Sequence, residues 1–257
     1  MTYPVPPLPS ADDFRGRVAV VTGGTAGLGR DLCATLVDLG AVVFFCGRSD
    51  ESGRQCQDEW GSRARFVRCD LADAEQTRGF IRTAAAHSGA IDFLVNNAAI
   101  DPPVPFDESD DELFDRIVSI NLRSFYVAAR AAADPLRAGM GKAIVNIGTT
   151  NYMLGLSGYT AYNSAKSGIV GFTRSLARDL GTDGIRVNMV SPGWIMTERQ
   201  LAEKVTDDDK DDLLRDQALP YLLDESYVTP VTLFLLSRAA AGMTGQNVVV
   251  DAGKVMQ

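Results

Sequence analysis

Val18-Ala19-Val20-Val21-Thr22-Gly23-Gly24-Thr25-Ala26-Gly27-Leu28-Gly29 is the stretch that decides the fold. Four apolar residues read as a buried strand, and the glycines after them break it before residues of helical period begin. A glycine turn between strand and helix lets the backbone approach a pyrophosphate, whose charge the amides of the first helical turn can meet. The same string also suits a tight turn with no ligand. Further along, short aliphatic runs predict strands at about 17–22, 41–46, 65–69, 91–96, 143–148, 185–190 and 246–250. Between them, helical periodicity predicts helices at about 27–39, 51–60, 73–88, 110–133, 158–180 and 226–238. Strands that alternate with helices call for an α/β, doubly wound (Rossmann-type) parallel sheet of seven strands covered on both faces, in a single domain. The fourth helix is expected to stop at Asp134-Pro135, because a residue before proline is pushed out of helical geometry.

The chain has 257 residues, 46% hydrophobic and 23% charged, enough for one large core. Residues 1–13 read as a flexible N-terminal arm and 14–257 as the domain. The opening residues are Pro-rich and lack the basic and apolar regions of a signal peptide, and no apolar run is long enough to span a bilayer. A cytoplasmic protein with no membrane partner is therefore expected. A net charge of -8 and a pI near 4.7 speak against a nucleic-acid partner, because a phosphate backbone would be repelled. They leave room for a small basic pocket. Cys33, Cys46, Cys56 and Cys69 lack CxxC spacing and His87 is the single histidine, so no metal is expected, only free, mostly buried thiols. Acidic residues crowd 198–218. Taken singly, Asp207, Asp208, Asp209, Asp211 and Asp212 fit a solvated helical insertion. The place of the segment after a strand end makes it a candidate substrate lid.

Two further signals carry chemistry. The second strand ends Phe44-Phe45-Cys46-Gly47-Arg48, with arginine and no carboxylate at the tip. An acid there would hold a free ribose diol, whereas an arginine accommodates a 2′-phosphate, so NADP(H) is favoured over NAD(H), which stays possible. Asp50 and Glu51 are close enough in sequence to turn Arg48 away. Within a helical stretch, Tyr162-Asn163-Ser164-Ala165-Lys166 puts a phenol and an ammonium one turn apart on one face. A neighbouring ammonium favours the phenolate, and such a pair can exchange a proton with an alcohol or carbonyl oxygen. An ordinary amphipathic helix carries the same spacing by chance.

Together these residues resemble the short-chain dehydrogenase/reductase family from about Phe14 to Gly253. Thr22-Gly23-xxx-Gly27-x-Gly29 is similar to the family's TGxxxGxG, Asn96-Asn97-Ala98-Ala99 to its NNAG, and Pro192-Gly193-Trp194-Ile195-Met196-Thr197 to its PGxxxT. Asp70 ends the third strand like the family's adenine-contacting aspartate, and Asn121 matches its tetrad asparagine. Thr149 stands where the family has its catalytic serine. It keeps a hydroxyl that can donate to a substrate oxygen, while its extra methyl restricts the side chain. The resemblance implies an oxidoreductase that moves hydride between a nicotinamide cofactor and an alcohol or carbonyl. Thr149, Tyr162, Lys166 and Asn121 are then catalytic, with Lys166 lowering the tyrosine pKa and Asn121 orienting a relay water. Gly23, Thr25, Gly27, Leu28, Gly29, Arg48, Asp70, Leu71, Asn97, Ala98, Tyr162, Lys166, Pro192, Gly193, Ile195 and Thr197 hold the cofactor. Asp101, Asn151, Tyr152, Tyr159 and Trp194 are candidate substrate walls. The strings around Thr149–Leu156 and Thr197–Gln200 are similar to bacterial aldose (xylose-type) 1-dehydrogenases, which points to a sugar or other hydroxylated small molecule. A reductase of bulkier cyclic or aromatic ketones and a non-catalytic nucleotide-binding module remain the competing readings. The resemblance also implies a homo-oligomer, a tetramer or dimer.

Overall fold

Parallel pairing joins all seven strands of the computed structural model, which describes residues 9–256. They are β1 (Val18–Val21), β2 (Val42–Gly47), β3 (Ala64–Arg68), β4 (Phe93–Asn96), β5 (Ala143–Ile147), β6 (Arg186–Pro192) and β7 (Asn247–Val250), in the order β3-β2-β1-β4-β5-β6-β7. Helices α1 (Gly27–Asp38), α2 (Asp50–Trp60), α3 (Ala74–Ala86), α4 (Asp111–Val118), α5 (Ser124–Ala138), α6 (Asn151–Leu154), α7 (Thr160–Gly181), α8 (Glu198–Glu203), α9 (Asp207–Asp216) and α10 (Glu225–Leu236) connect them. Along β1, Ala19 and Val21 enter a core shared with α1, α2 and α10, while Val18 and Val20 enter one shared with α3, α5 and α7. Helices on both faces explain why the strands read as unbroken apolar runs rather than alternating ones. The direction of strand addition reverses between β1 and β4, and the crevice beyond the carboxyl ends there is where such sheets bind ligands.

Two features differ from the expectation. The helix expected over 110–133 and closed by Asp134-Pro135 is α4, a five-residue π-helical turn at Ser119–Arg123, and α5, which runs through Pro135 to Ala138. Proline there has no amide to give the helix, while its carbonyl accepts from the Ile91 and Gly139 amides, each at 3.0 Å. Ala132, Ala133 and Leu136, buried on either side, outweigh the local preference. The N-terminal arm is the other difference. Residues 1–8 of it lie outside those described, but Ala11–Asp13 form a 3-10 turn and buried Asp13 pairs with Arg238 Nε at 2.6 Å, so the docked chain starts before Phe14. The 198–218 segment is mostly helical, and Asp207, Asp208 and Asp209 occupy the first turn of α9, where negative charge suits the helix dipole. All four cysteines are free and buried.

Candidate active site

The glycine turn is built by close approach. Gly23 and Gly27 have φ of 70° and 50°, which glycine tolerates without strain. A Cβ at Gly29 would stand 2.1 Å from the Gly23 carbonyl oxygen, so no other residue fits. The Thr22 hydroxyl accepts from the amides of Asn97 (2.9 Å) and Ala98 (3.2 Å), and Asn97 Nδ2 donates to the carbonyls of Thr22 (3.0 Å) and Gly23 (3.1 Å). These four bonds stitch the end of β4 to the turn. The Asn97 side chain is thereby committed to the backbone. Ser49, Asp73 and Asp110 cap α2, α3 and α4, but Ala26 offers α1 no side-chain cap. The first-turn amides of α1 are left for an anion, which fits the pyrophosphate of a dinucleotide.

At the tip of β2 a Cβ on Gly47 would lie 2.8 Å from Thr25 Cγ2 and 2.9 Å from its hydroxyl, so Thr25 fills the space a longer side chain would need. Arg48 is exposed and has no ion-pair partner among the described residues. Asp50, which could have drawn it aside, instead faces Arg68 at 3.9 Å, and Arg68 Nε donates to the Arg48 carbonyl at 3.3 Å. Two guanidinium groups therefore flank the tips of β2 and β3. The Asp70 carboxylate closes a local turn by accepting from the Ala72 amide at 3.0 Å, beside buried Leu71.

Thr149, Tyr162, Lys166 and Asn121 are all buried below the β4–β5 end of the crevice. Lys166 Nζ donates to the Ile147 carbonyl at 2.8 Å and stands 5.8 Å from the Tyr162 ring centre. Asn121 lies in the π-helical turn, a local widening common at functional sites. Its Oδ1 accepts from the Ile100 amide at 2.9 Å and its Nδ2 donates to the Ile100 carbonyl at 2.8 Å. The side chain is thus spent on the β4 loop, and a relay role would fall to its main chain.

Burial pushes the Tyr162 phenol well above its ordinary range, the Asp101 carboxylate adds to this, and the Thr149 hydroxyl opposes it. Burial lowers Lys166 to about 7, against the pull of Asp101. Desolvation is thus the largest influence on the phenol.

Beyond β6, the Gly193 amide donates to the Val250 carbonyl at 2.9 Å, and the Met196 amide to the Leu223 carbonyl at 2.8 Å. Thr197 caps α8 by accepting from the Gln200 amide at 3.2 Å, and its methyl lies 3.4 Å from where a Cβ on Gly27 would be. The segment from Pro192 through Ile195 to Thr197 thereby closes against the glycine turn.

At the mouth, Tyr159 meets the Tyr162 ring edge-on at 5.9 Å between centres. The Asn151 amide donates to the Thr149 hydroxyl at 3.2 Å, and Trp194 Nε1 donates to Gln200 Oε1 at 3.0 Å. Tyr152 is not part of this wall: its hydroxyl accepts from Asn247 Nδ2 at 3.1 Å and its ring packs with Phe125, Ile169 and Met189. The Asp101 carboxylate is held by three side chains of the segment that follows. Arg199 and Lys204 each donate at 2.8 Å and Gln200 at 3.3 Å, while Lys204 also reaches the Asp101 carbonyl at 2.9 Å. Lys204 and Arg68 were not singled out from sequence, and Arg199 and Gln200 entered only as part of the string similar to aldose 1-dehydrogenases. Residues 200 and 204 are four apart in sequence, a helical spacing and the only local hint, although Lys204 lies just past the end of α8.

A family model described as enoyl-(acyl carrier protein) reductase matches residues 23–254. The chain is 34% identical over 257 residues to a Rhizobium meliloti protein named "Probable galactose dehydrogenase", covering 98% of this chain and 99% of that one. It is 35% identical over 244 residues to the D-xylose 1-dehydrogenase of Caulobacter vibrioides, covering 93% and 96%. A solved short-chain dehydrogenase/reductase of the glucose/ribitol dehydrogenase type from Brucella melitensis superposes with a TM-score of 0.90 at 29% identity, covering 95% and 99%.

Proposed function

The chain belongs to the short-chain dehydrogenase/reductase family, and from that premise we propose that it oxidises a hydroxyl of a sugar or similarly hydroxylated compound, with NADP as preferred partner. Membership makes it an NAD(P)-dependent oxidoreductase of alcohols and carbonyls. The observation that carries the substrate class is the make-up of the mouth, which sets the polar residues Asp101, Asn151 and Gln200 beside the rings of Tyr159 and Trp194, with Asp101 and Gln200 already bonded to one another. Relatives named for galactose and D-xylose support the same reading. The test is a panel of pentoses, hexoses, cyclic alcohols and aromatic ketones offered with NADP and NAD, read at the nicotinamide absorbance. Turnover of aldoses is expected. Turnover of bulky ketones alone would favour the reductase reading, and none at all a nucleotide-binding module.

In this reading the glycine turn with Thr25 and Leu28 would hold the pyrophosphate and adenosine ribose, Asp70, Leu71 and Ala98 would flank the adenine side, and Ile195 and Thr197 would lie at the nicotinamide end. When bound, the nicotinamide would supply or accept the hydride. Thr149 donates to the substrate oxygen, and Tyr162 gives or takes the proton at that oxygen. A phenol held protonated is a ready donor to a carbonyl, so alcohol oxidation should quicken with rising pH. Lys166 passes the proton onward from Tyr162, and its lowered pKa lets it exchange protons near neutrality. The substitution at 149 is tested directly: Thr149→Ser should retain or raise kcat, and Thr149→Val should lose at least ~10-fold. Equal rates in the two variants would remove the hydroxyl from the mechanism.

The cofactor preference rests on the unpaired Arg48 with Arg68 beside it. Arg48→Ala should cut kcat/KM for NADP on the order of 10- to 100-fold and leave NAD within ~2-fold. Better use of NAD than NADP by the wild type would overturn the assignment.

We also assign a homotetramer in the cytoplasm. The exposed rings of Phe114 and Tyr126 and the half-exposed valines of edge strand β7 support the assembly. Among the described residues no helix is long and apolar enough to cross a membrane.

A further inference from the structure

The segment after β6 is fastened unevenly. At its far end the amides of Ala218 and Leu219 donate to the Ala252 carbonyl at 2.9 and 3.0 Å, and Lys254 pairs with Asp216 at 3.3 Å. Its near part, α8, has six residues and buries none of its side chains, so apolar packing holds it weakly. The contacts from α8 and the residue after it to Asp101 take the place of packing. Asp101 stands on a fixed platform, because the Asn121 side chain grips both the amide and the carbonyl of the adjoining Ile100. The carboxylate and the Lys204 ammonium are each 20% exposed, so their attraction is only partly screened by water. Gln200 reaches Asp101 with its amide nitrogen and Trp194 with its oxygen, so the same clamp orients the indole at the mouth.

We propose that Asp101 is the positioning residue that holds α8 closed over the reaction site through Arg199, Gln200 and Lys204, and that ligand exchange requires these contacts to part. The proposal rests on the reading of this crevice as the dehydrogenase site. Thr197, at the nicotinamide end of the cradle, is the N-cap of the same helix, so freeing α8 also loosens the cofactor. Asp101 acts here through the helix and takes no part in hydride or proton transfer.

The test uses Asp101→Asn, which keeps shape and removes charge, and Asp101→Glu, which restores charge on a longer arm. Limited trypsin digestion of the ligand-free protein, with fragments identified by mass, reads opening of α8 at Arg199 and Lys204. Release of NADPH into excess NADP, followed by nicotinamide fluorescence, reads retention. Asp101→Asn should be cut within α8 and release NADPH each ~10-fold faster than wild type, with the melting temperature unchanged, and Asp101→Glu should recover most of both. Rates within ~2-fold of wild type in Asp101→Asn, or no recovery in Asp101→Glu, would overturn the clamp. Should the asparagine variant not fold, Arg199→Gln with Lys204→Met attacks the clamp from the helix side, and unchanged NADPH release there would be equally decisive. Digestion needs no turnover, so loss of the dehydrogenase reading and loss of the clamp are separate results.

Discussion

Tyr162→Phe is expected to lower kcat by at least ~100-fold while NADPH affinity stays within ~2-fold of wild type. The substitution removes one oxygen from a buried ring and leaves the edge-on contact with Tyr159 in place, so folding should be preserved. Its effect should be larger than that of Thr149→Val, because Tyr162 moves a proton whereas Thr149 only holds the oxygen. Steady-state turnover on the best substrate of the panel, with cofactor titrated by fluorescence, separates the two quantities. Near-normal turnover would remove Tyr162 from the chemistry and leave the buried group around it without a function.

The second large effect is a trade of function for stability. Lys166 is held inside the protein with a pKa of about 7, against an ordinary 10.5, by burial. Between those values the unfolded chain binds a proton that the folded one does not, so wild-type stability rises as pH climbs from 7 toward 10.5. Lys166→Met keeps the length of the side chain and escapes that cost, while giving up the bond to the Ile147 carbonyl. Without cofactor, the variant should melt about 5 °C above wild type at pH 7, with the gap shrinking toward pH 10. Its turnover should fall at least ~100-fold. Calorimetry at the two pH values checks the first part, and a gap that does not depend on pH would mean that Lys166 is not a strained charge.

The sheet was legible because its inner strands are buried on both faces, so apolar runs and glycine punctuation coincide with real boundaries to within two residues. Asn97 was legible as a motif but not in its task, since only the folded turn shows its side chain spent on Thr22 and Gly23. The path through Pro135 was not legible, because what keeps the helix going is burial of Leu136, a property of the core and not of the local string. The π-helical turn at Ser119–Arg123 left no mark that periodicity could detect. Tyr152 shared a neighbourhood in sequence with Asn151 and Thr149, but one helical turn points it down toward Asn247 instead of up into the mouth. The Asp101 clamp joins residues about a hundred positions apart, and no local pattern links its two sides.

The contact between Thr25 and the tip of β2 bears on how this chain could change its cofactor over generations. A carboxylate at position 47 is the simplest way to welcome a free ribose, yet its first carbon would collide with Thr25. Trimming Thr25 alone removes a wall and offers nothing in return. The two steps together with Arg48 form a coupled set in which order matters. A lineage that started from NADP could move to NAD most easily by shrinking position 25 first, through a phase of indifferent specificity, and acquiring the acid afterwards. Glycine at 47 is thereby favoured by its neighbour, which couples any change of cofactor at this strand tip to a change at position 25.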